Sequence, residues 1–178
     1  MLQRRVLCFA VASLPLALAR RGQAQTGPVR AAASLGKPAG PPILTVSGHI
    51  GVTNDGDTAV FDRAMLEGMG LTAFRTSTPW YKDVATFEGV PMATLMDSVR
   101  AKGETLTVTA LNDYTSDVPI ADFARYHPIL ALKRDGHYME VRDKGPLFVV
   151  YPYDSAPELQ SQRFYSRSPW QVARMDVR

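Results

Sequence analysis

Short apolar runs alternate with polar turns along this chain, and most runs are too brief for helices. After Pro41-Pro42 comes "ILTVSG", a β-branched stretch that predicts a strand from Ile43. Asn54-Asp55-Gly56-Asp57 predicts a plain turn, because the further acidic positions and closing Glu of a calcium loop are missing. "DRAMLEGM", Asp62 to Met69, predicts a short helix capped by Asp62. Leu71 to Thr76 predicts a strand that runs into "FRTSTPW". Pro91 opens a second predicted helix with Val90, Leu95, Met96 and Val99 on one apolar face, closed by Gly103.

The second half reads the same way. "TLTVTALN", Thr105 to Asn112, alternates as a strand does. "DYTSDVPI" predicts a turn and a short strand, and Ala121 to Ala124 one helical turn. "HPILALKRDGHYM" predicts a hairpin about Asp135-Gly136. "PLFVVYPYD" predicts a buried strand, and "WQVARMDVR" a last strand with Trp170 in the core. Six to eight strands mixed with two or three short helices, in no regular βαβ series, give the α+β class.

The N-terminus follows a different pattern. A basic start with Arg4-Arg5 leads to an apolar run, Val6 to Ala19, too short to span a bilayer. Gly22-Gln23-Ala24 offers small residues before a cut at Gln25, so residues 1–24 read as a secretory signal. Residues 25–42, rich in Gly, Pro and Ala, read as a flexible leader. Residues 43–178 are the expected folded domain. The expected location is periplasmic or secreted, with no membrane association after cleavage.

Cleavage changes the charge and redox picture. The 178-residue chain carries +3 at neutral pH, and its signal holds Arg4, Arg5, Arg20 and Arg21 but no acid. Losing four positive charges takes +3 to −1, which leaves no basic field for nucleic acid. The single cysteine, Cys8, would leave as well, and with it any disulfide or thiolate ligand. A hydrophobic content of 46% and a charged content of 21% fit a soluble globular domain.

Generic catalytic templates are missing. The chain has no Gly-x-Ser-x-Gly, no His-Glu-x-x-His and no phosphate-binding Gly-rich loop. His49, His127 and His137 are dispersed, without metal-ligand spacing; His127 precedes Pro128 and is expected to be extended. Four polar clusters end apolar strands: "RTSTPW", "NDY", "RDKGP" and "YPYD". Strand ends followed by polar loops can converge on one rim, although Asn, Asp, Gly and Pro also serve turns for local reasons.

From Ile43 to Val177 the chain resembles the molybdopterin-binding oxidoreductase domain, the sulfite-oxidase-type fold. The resemblance rests on the order of "TSTPW", "FEGVPMATLM", "ALNDYTSDVPIADFARYHPILALKRDG", "VRDKGPLFVVYPYD" and "WQVARMDV". It implies a mixed, mainly-β fold with a few short helices. In active relatives a cysteine four residues before a tryptophan ligates molybdenum. Counted back from Trp80 that position is Thr76, with Ser77 beside it, and neither has a thiol. A neutral hydroxyl lacks the softness of a thiolate. Relatives also place an arginine just after the Gly-Pro turn, where this chain has Pro146-Leu147-Phe148.

Two expectations follow. The first is a non-catalytic domain that binds a small anionic or polar ligand, or a periplasmic partner protein, in the former cofactor cleft. Arg75, Thr76, Ser77 and Thr78 would donate to that ligand, with Trp80 as a cleft wall or a packing anchor. Asn112, Asp113 and Tyr114 would form the opposite wall, and Arg142 and Lys144 would supply positive charge. No metal ligand and no cofactor are expected on this reading. The alternative is an oxidoreductase that still binds molybdopterin.

Overall fold

A computed structural model describes residues 35–178; the signal and most of the leader expected from the sequence lie outside them. Two five-stranded sheets dominate. The first has the order β2-β1-β10-β5-β6, built from β1 (Pro42–Gly48), β2 (Ala59–Asp62), β5 (Thr105–Ala110), β6 (Thr115–Pro119) and β10 (Val172–Val177). The second runs β3-β4-β7-β8, with β9 also on β7: β3 (Thr72–Thr78), β4 (Tyr81–Pro91), β7 (Ile129–Arg134), β8 (His137–Tyr138) and β9 (Phe148–Val150). Four short helices accompany them: α1 (Arg63–Glu67), α2 (Met92–Ser98), α3 (Ala121–Tyr126) and α4 (Gln162–Tyr165). The architecture is α+β and mainly β. Among the described residues no helix is long and apolar enough to cross a membrane.

Strand alternation sets the core. In β1 Leu44 and Val46 point inward and are buried, while Ile43, Thr45 and Ser47 are partly open. β1 lies parallel to β10 in the register Thr45 with Arg174, and β10 pairs antiparallel with β5. The register between β10 and β5 slips between Val172 and Arg174, where a bulge lets Val172, Met175 and Val177 all face the core. β7, "ILALKR", is buried over Ile129 to Leu132 because strands pair on both of its sides.

The helix caps follow the sequence chemistry. Asp62 accepts the Met65 N–H at 2.8 Å and starts α1. Its second oxygen takes the Ala39 and Gly40 N–H groups, each at 2.8 Å, which ties the end of the leader segment to the domain. The turn Asp135-Gly136 has both residues at positive φ, 50° and 80°, as a tight hairpin connection requires.

Several expectations are corrected. Ten strands are present among the described residues, because β2 and β4 were not expected. α2 ends at Ser98, not at Gly103; Val99 and Arg100 close it, and Arg100 sits at φ 50°. His127 is left-handed at φ 52° and ψ 47°, because it terminates α3 before Pro128. Trp170 precedes β10 and is 37% exposed, so it is not a core residue.

Candidate functional site

Turns from both sheets and one further segment meet around a cavity of about 390 Å³. The first wall is the β3–β4 turn. Thr78 pairs with Tyr81, so Pro79 and Trp80 form a two-residue connection. Thr78 Oγ1 accepts the Trp80 N–H at 3.3 Å and the Tyr81 N–H at 3.2 Å, which fixes the turn. The second wall is the β5–β6 turn, with Ala110, Asn112 and Tyr114. Asn112 Oδ1 accepts the Tyr114 N–H at 3.2 Å, and Asp113 between them is left-handed at φ 62°. The third wall comes from Gln162 and Tyr165 of α4 and from Ser166, Ser168, Pro169 and Trp170 after it. The lining residues carry no formal charge.

Trp80 organises the aromatic wall. It meets Phe148 edge-on at 5.3 Å, Trp170 at 5.6 Å, Tyr165 at 5.9 Å and Tyr153 at 6.2 Å between centroids. Each such pair is worth about 0.5–1.5 kcal/mol beyond simple burial. Trp80 is therefore both packing anchor and cavity wall. Beneath it, the Tyr153 hydroxyl donates to Ser168 Oγ, which donates in turn to Phe164 O at 2.8 Å. Burial pushes the Tyr153 hydroxyl well above its ordinary range, so it stays protonated.

The hydroxyl cluster is hydrogen-bonded within the fold. Thr76 is fully buried; its Oγ1 accepts the Asp154 N–H at 3.1 Å and donates to Ser77 O at 3.2 Å. Ser77 gives its N–H to Asp154 Oδ2 at 2.6 Å and its hydroxyl to Asp154 Oδ1. The Ser77 hydroxyl and then its N–H hold the Asp154 carboxyl below the usual carboxylate range. Arg75 is exposed on β3 and does not line the cavity.

The charged candidates divide. Asp113 pairs with Arg174 at 2.6 Å, and Arg142 with Glu140 at 2.7 Å, all on the surface. Lys144 lies over the Tyr81 ring at 4.9 Å and over Trp170 at 5.5 Å. Tyr81 is pushed up to about 12 by burial and by the nearby Asp143 carboxylate. The structure thus gathers Trp80, Asn112 and Tyr114 on the cavity, with Lys144 against its Trp170 wall. It does not bring Arg75, Thr76, Ser77, Thr78, Asp113 or Arg142 into the lining.

The third wall went unread in the sequence, yet a signal for it exists. "TSTPW" at Thr76 to Trp80 and "SRSPW" at Ser166 to Trp170 share the form hydroxyl-x-hydroxyl-Pro-Trp. Both Pro-Trp pairs line the cavity.

The residues at Thr76 do not fit a molybdenum ligand. The one hydroxyl in the expected position is buried and bonded on both sides within the protein, and oxygen replaces the soft sulfur donor. Where the resemblance expects an arginine, Leu147 and Phe148 are fully buried in apolar packing. Among the described residues no three His, Cys, Asp or Glu side chains gather as a metal site.

No protein-family model and no curated protein matches the chain. Among solved structures it is similar to the sulfane dehydrogenase SoxCD from Paracoccus pantotrophus, with a TM-score of 0.56 and 15% identity. The match covers 75% of this chain and 37% of that one, so the chain spans little more than a third of its length. At that identity the likeness concerns the fold, and the fold is the α+β, mainly-β architecture of the sulfite-oxidase type.

Proposed function

We propose that this domain is an exported binding module that keeps a sulfite-oxidase-type fold without molybdenum catalysis, and that the cavity beside Trp80 is its ligand site. One observation carries the reading. The Thr76 hydroxyl, which stands where the resemblance puts the ligating thiolate, is consumed by the Asp154 N–H and Ser77 O. A cavity of about 390 Å³, inside the usual ligand range of about 300–1,000 Å³, opens instead at the Pro79-Trp80 turn that follows β3. Its aromatic rings offer contact area, and the amides of Asn112 and Gln162 offer hydrogen bonds. The export half of the proposal rests on the basic start, apolar run and Gly22-Gln23-Ala24 of the sequence.

The fold likeness to a sulfane dehydrogenase favours a second reading, an oxidoreductase that still carries molybdopterin. Elemental analysis decides between them. The protein is purified from the exported fraction of cells that load a cysteine-bearing relative in parallel. The expected result is far less than one molybdenum per chain; a stoichiometric metal content overturns the proposal.

A further inference from the structure

The cavity's neutral lining conceals a charge preference. Four of its rings belong to Trp80, Trp170, Tyr114 and Tyr165, a composition that could suggest a cage for a cation. The geometry argues against that. A cation cage needs separated rings, each with its centroid within about 6 Å of the guest. Here Trp80 and Trp170 touch each other edge-on at 5.6 Å and form one packed wall. The chain also supplies its own cation there, since the Lys144 ammonium stands 5.5 Å from the Trp170 centroid.

Lys144 has no internal counterion. It makes no ion pair among the described residues, while the neighbouring cations are spoken for: Arg142 by Glu140, Arg174 by Asp113. Its neighbour Asp143 is taken by Arg134 at 3.2 Å and by the Tyr81 hydroxyl at 3.2 Å. The backbone also holds Lys144 in place. It is left-handed at φ 65°, and its carbonyl accepts the N–H of Gln171, itself left-handed at φ 54°. Such conformations are costly for residues with a Cβ and concentrate at functional positions. Among the described residues six non-glycine residues have positive φ, and three of them, Lys144, Gln171 and Asp113, sit beside the lining residues Trp170, Asn112 and Tyr114. On the β5–β6 wall the Asn112 oxygen is already taken by the Tyr114 N–H, which leaves its amide N–H groups to donate.

We propose that the cavity takes a small aromatic carboxylate, its ring against Trp80 and Trp170 and its negative group held by Lys144 and the Asn112 amide. This rests on the reading of the cavity as a ligand site. The chain's two tryptophans both line it, so intrinsic fluorescence reports on this one place. The full chain is titrated with benzoate, benzamide and benzylamine, which share a ring and differ in charge. Benzoate is expected to saturate and to bind about tenfold tighter than benzamide, the scale of one charge-assisted hydrogen bond. Benzylamine is expected to bind weakest.

Lys144→Asn removes the charge and keeps a side chain that tolerates the left-handed backbone. It is expected to lower benzoate affinity to the benzamide level and leave benzamide unchanged. Should that variant not fold, added salt on the unaltered protein gives the same answer by weakening benzoate alone. Equal affinities, a preference for benzylamine, no saturation by benzoate, or a benzoate preference insensitive to both Lys144→Asn and salt would each overturn the inference. Molybdenum content of the same preparation keeps the two proposals apart. Metal-free protein that binds benzamide or benzylamine best retains the binding-module reading and loses this one.

Discussion

The backbone N–H of Asp154 donates to the hydroxyl of Thr76 at 3.1 Å, across 78 positions of sequence. That bond, with the paired contacts of Ser77 to the Asp154 carboxylate, fastens the Tyr153–Ser155 turn against the end of β3. The end of β3 is thereby fixed to a segment far away in sequence.

Thr76→Val, close in shape but without an acceptor, is expected to lower stability by about 1–3 kcal/mol, because the Asp154 N–H loses its partner. For a domain of this size that is a fall of roughly 2–4 °C in Tm per kcal/mol. Thr76→Ser keeps the oxygen and should lose much less. Thermal denaturation of the pair checks this; equal losses would place the effect in packing instead of the hydrogen bond.

Acid stability should depend on Asp62 and Asp154. Both carboxyls lie below the usual range in the folded state, Asp62 through the N–H groups of Gly40 and Met65, Asp154 through Ser77. The folded state therefore binds these protons less tightly than the unfolded chain. Their stabilisation is present above the unfolded value, near pH 4, and is lost as pH falls through the lower folded values. Asp154→Asn should flatten the decline of Tm below about pH 4, as read by melts between neutral and acid pH.

Among the described residues the most buried ion pair should be the most sensitive to truncation. Asp122 Oδ2 receives Arg167 Nη1 at 2.7 Å and the Tyr151 hydroxyl at 2.9 Å, with both charged side chains largely enclosed. Arg167→Met leaves the carboxylate without its cation and is expected to cost about 3–5 kcal/mol. Tyr151→Phe removes one neutral donor and should cost about 1 kcal/mol. Urea melts of both variants and their double mutant measure the coupling.

Gly145 is a steric requirement. A Cβ built there would lie 1.9 Å from Met139 O, a backbone atom. Gly145→Ala must therefore shift the loop that carries Lys144, and a loss of at least about 1–3 kcal/mol is expected. A variant that melts like the parent protein would show that the loop yields more easily than its packing implies.

Legibility in the sequence followed local chemistry. The alternation in "ILTVSG", the Asp62 cap and the Asp135-Gly136 turn each state their structure within a few residues, and all three appear in the fold. β4 was missed because "YKDVATFEGVP" alternates poorly and exposes Val84; its strand character comes from pairing with both β3 and β7. At the site, Trp80, Asn112 and Tyr114 were readable because strand-end turns carry them. Asp154 stood in a noted cluster, but nothing in "YPYD" says that its amide reaches Thr76. The Gln162 to Trp170 wall reads as polar coil, and its role depends on where the fold delivers it. Lys144 was singled out for its charge, whereas its position over two aromatic rings belongs to tertiary structure.

The place of β10 in its sheet has a consequence for how the protein is made. This strand, Val172–Val177, runs between β1 and β5 and supplies pairing to both. A ribosome delivers it after every other described strand, more than a hundred residues after β1. Until then β1 has no parallel neighbour, and β5 lacks one of its two. The first sheet can close only after synthesis has reached Val177, whereas the second sheet, which does not contain β10, need not wait for it.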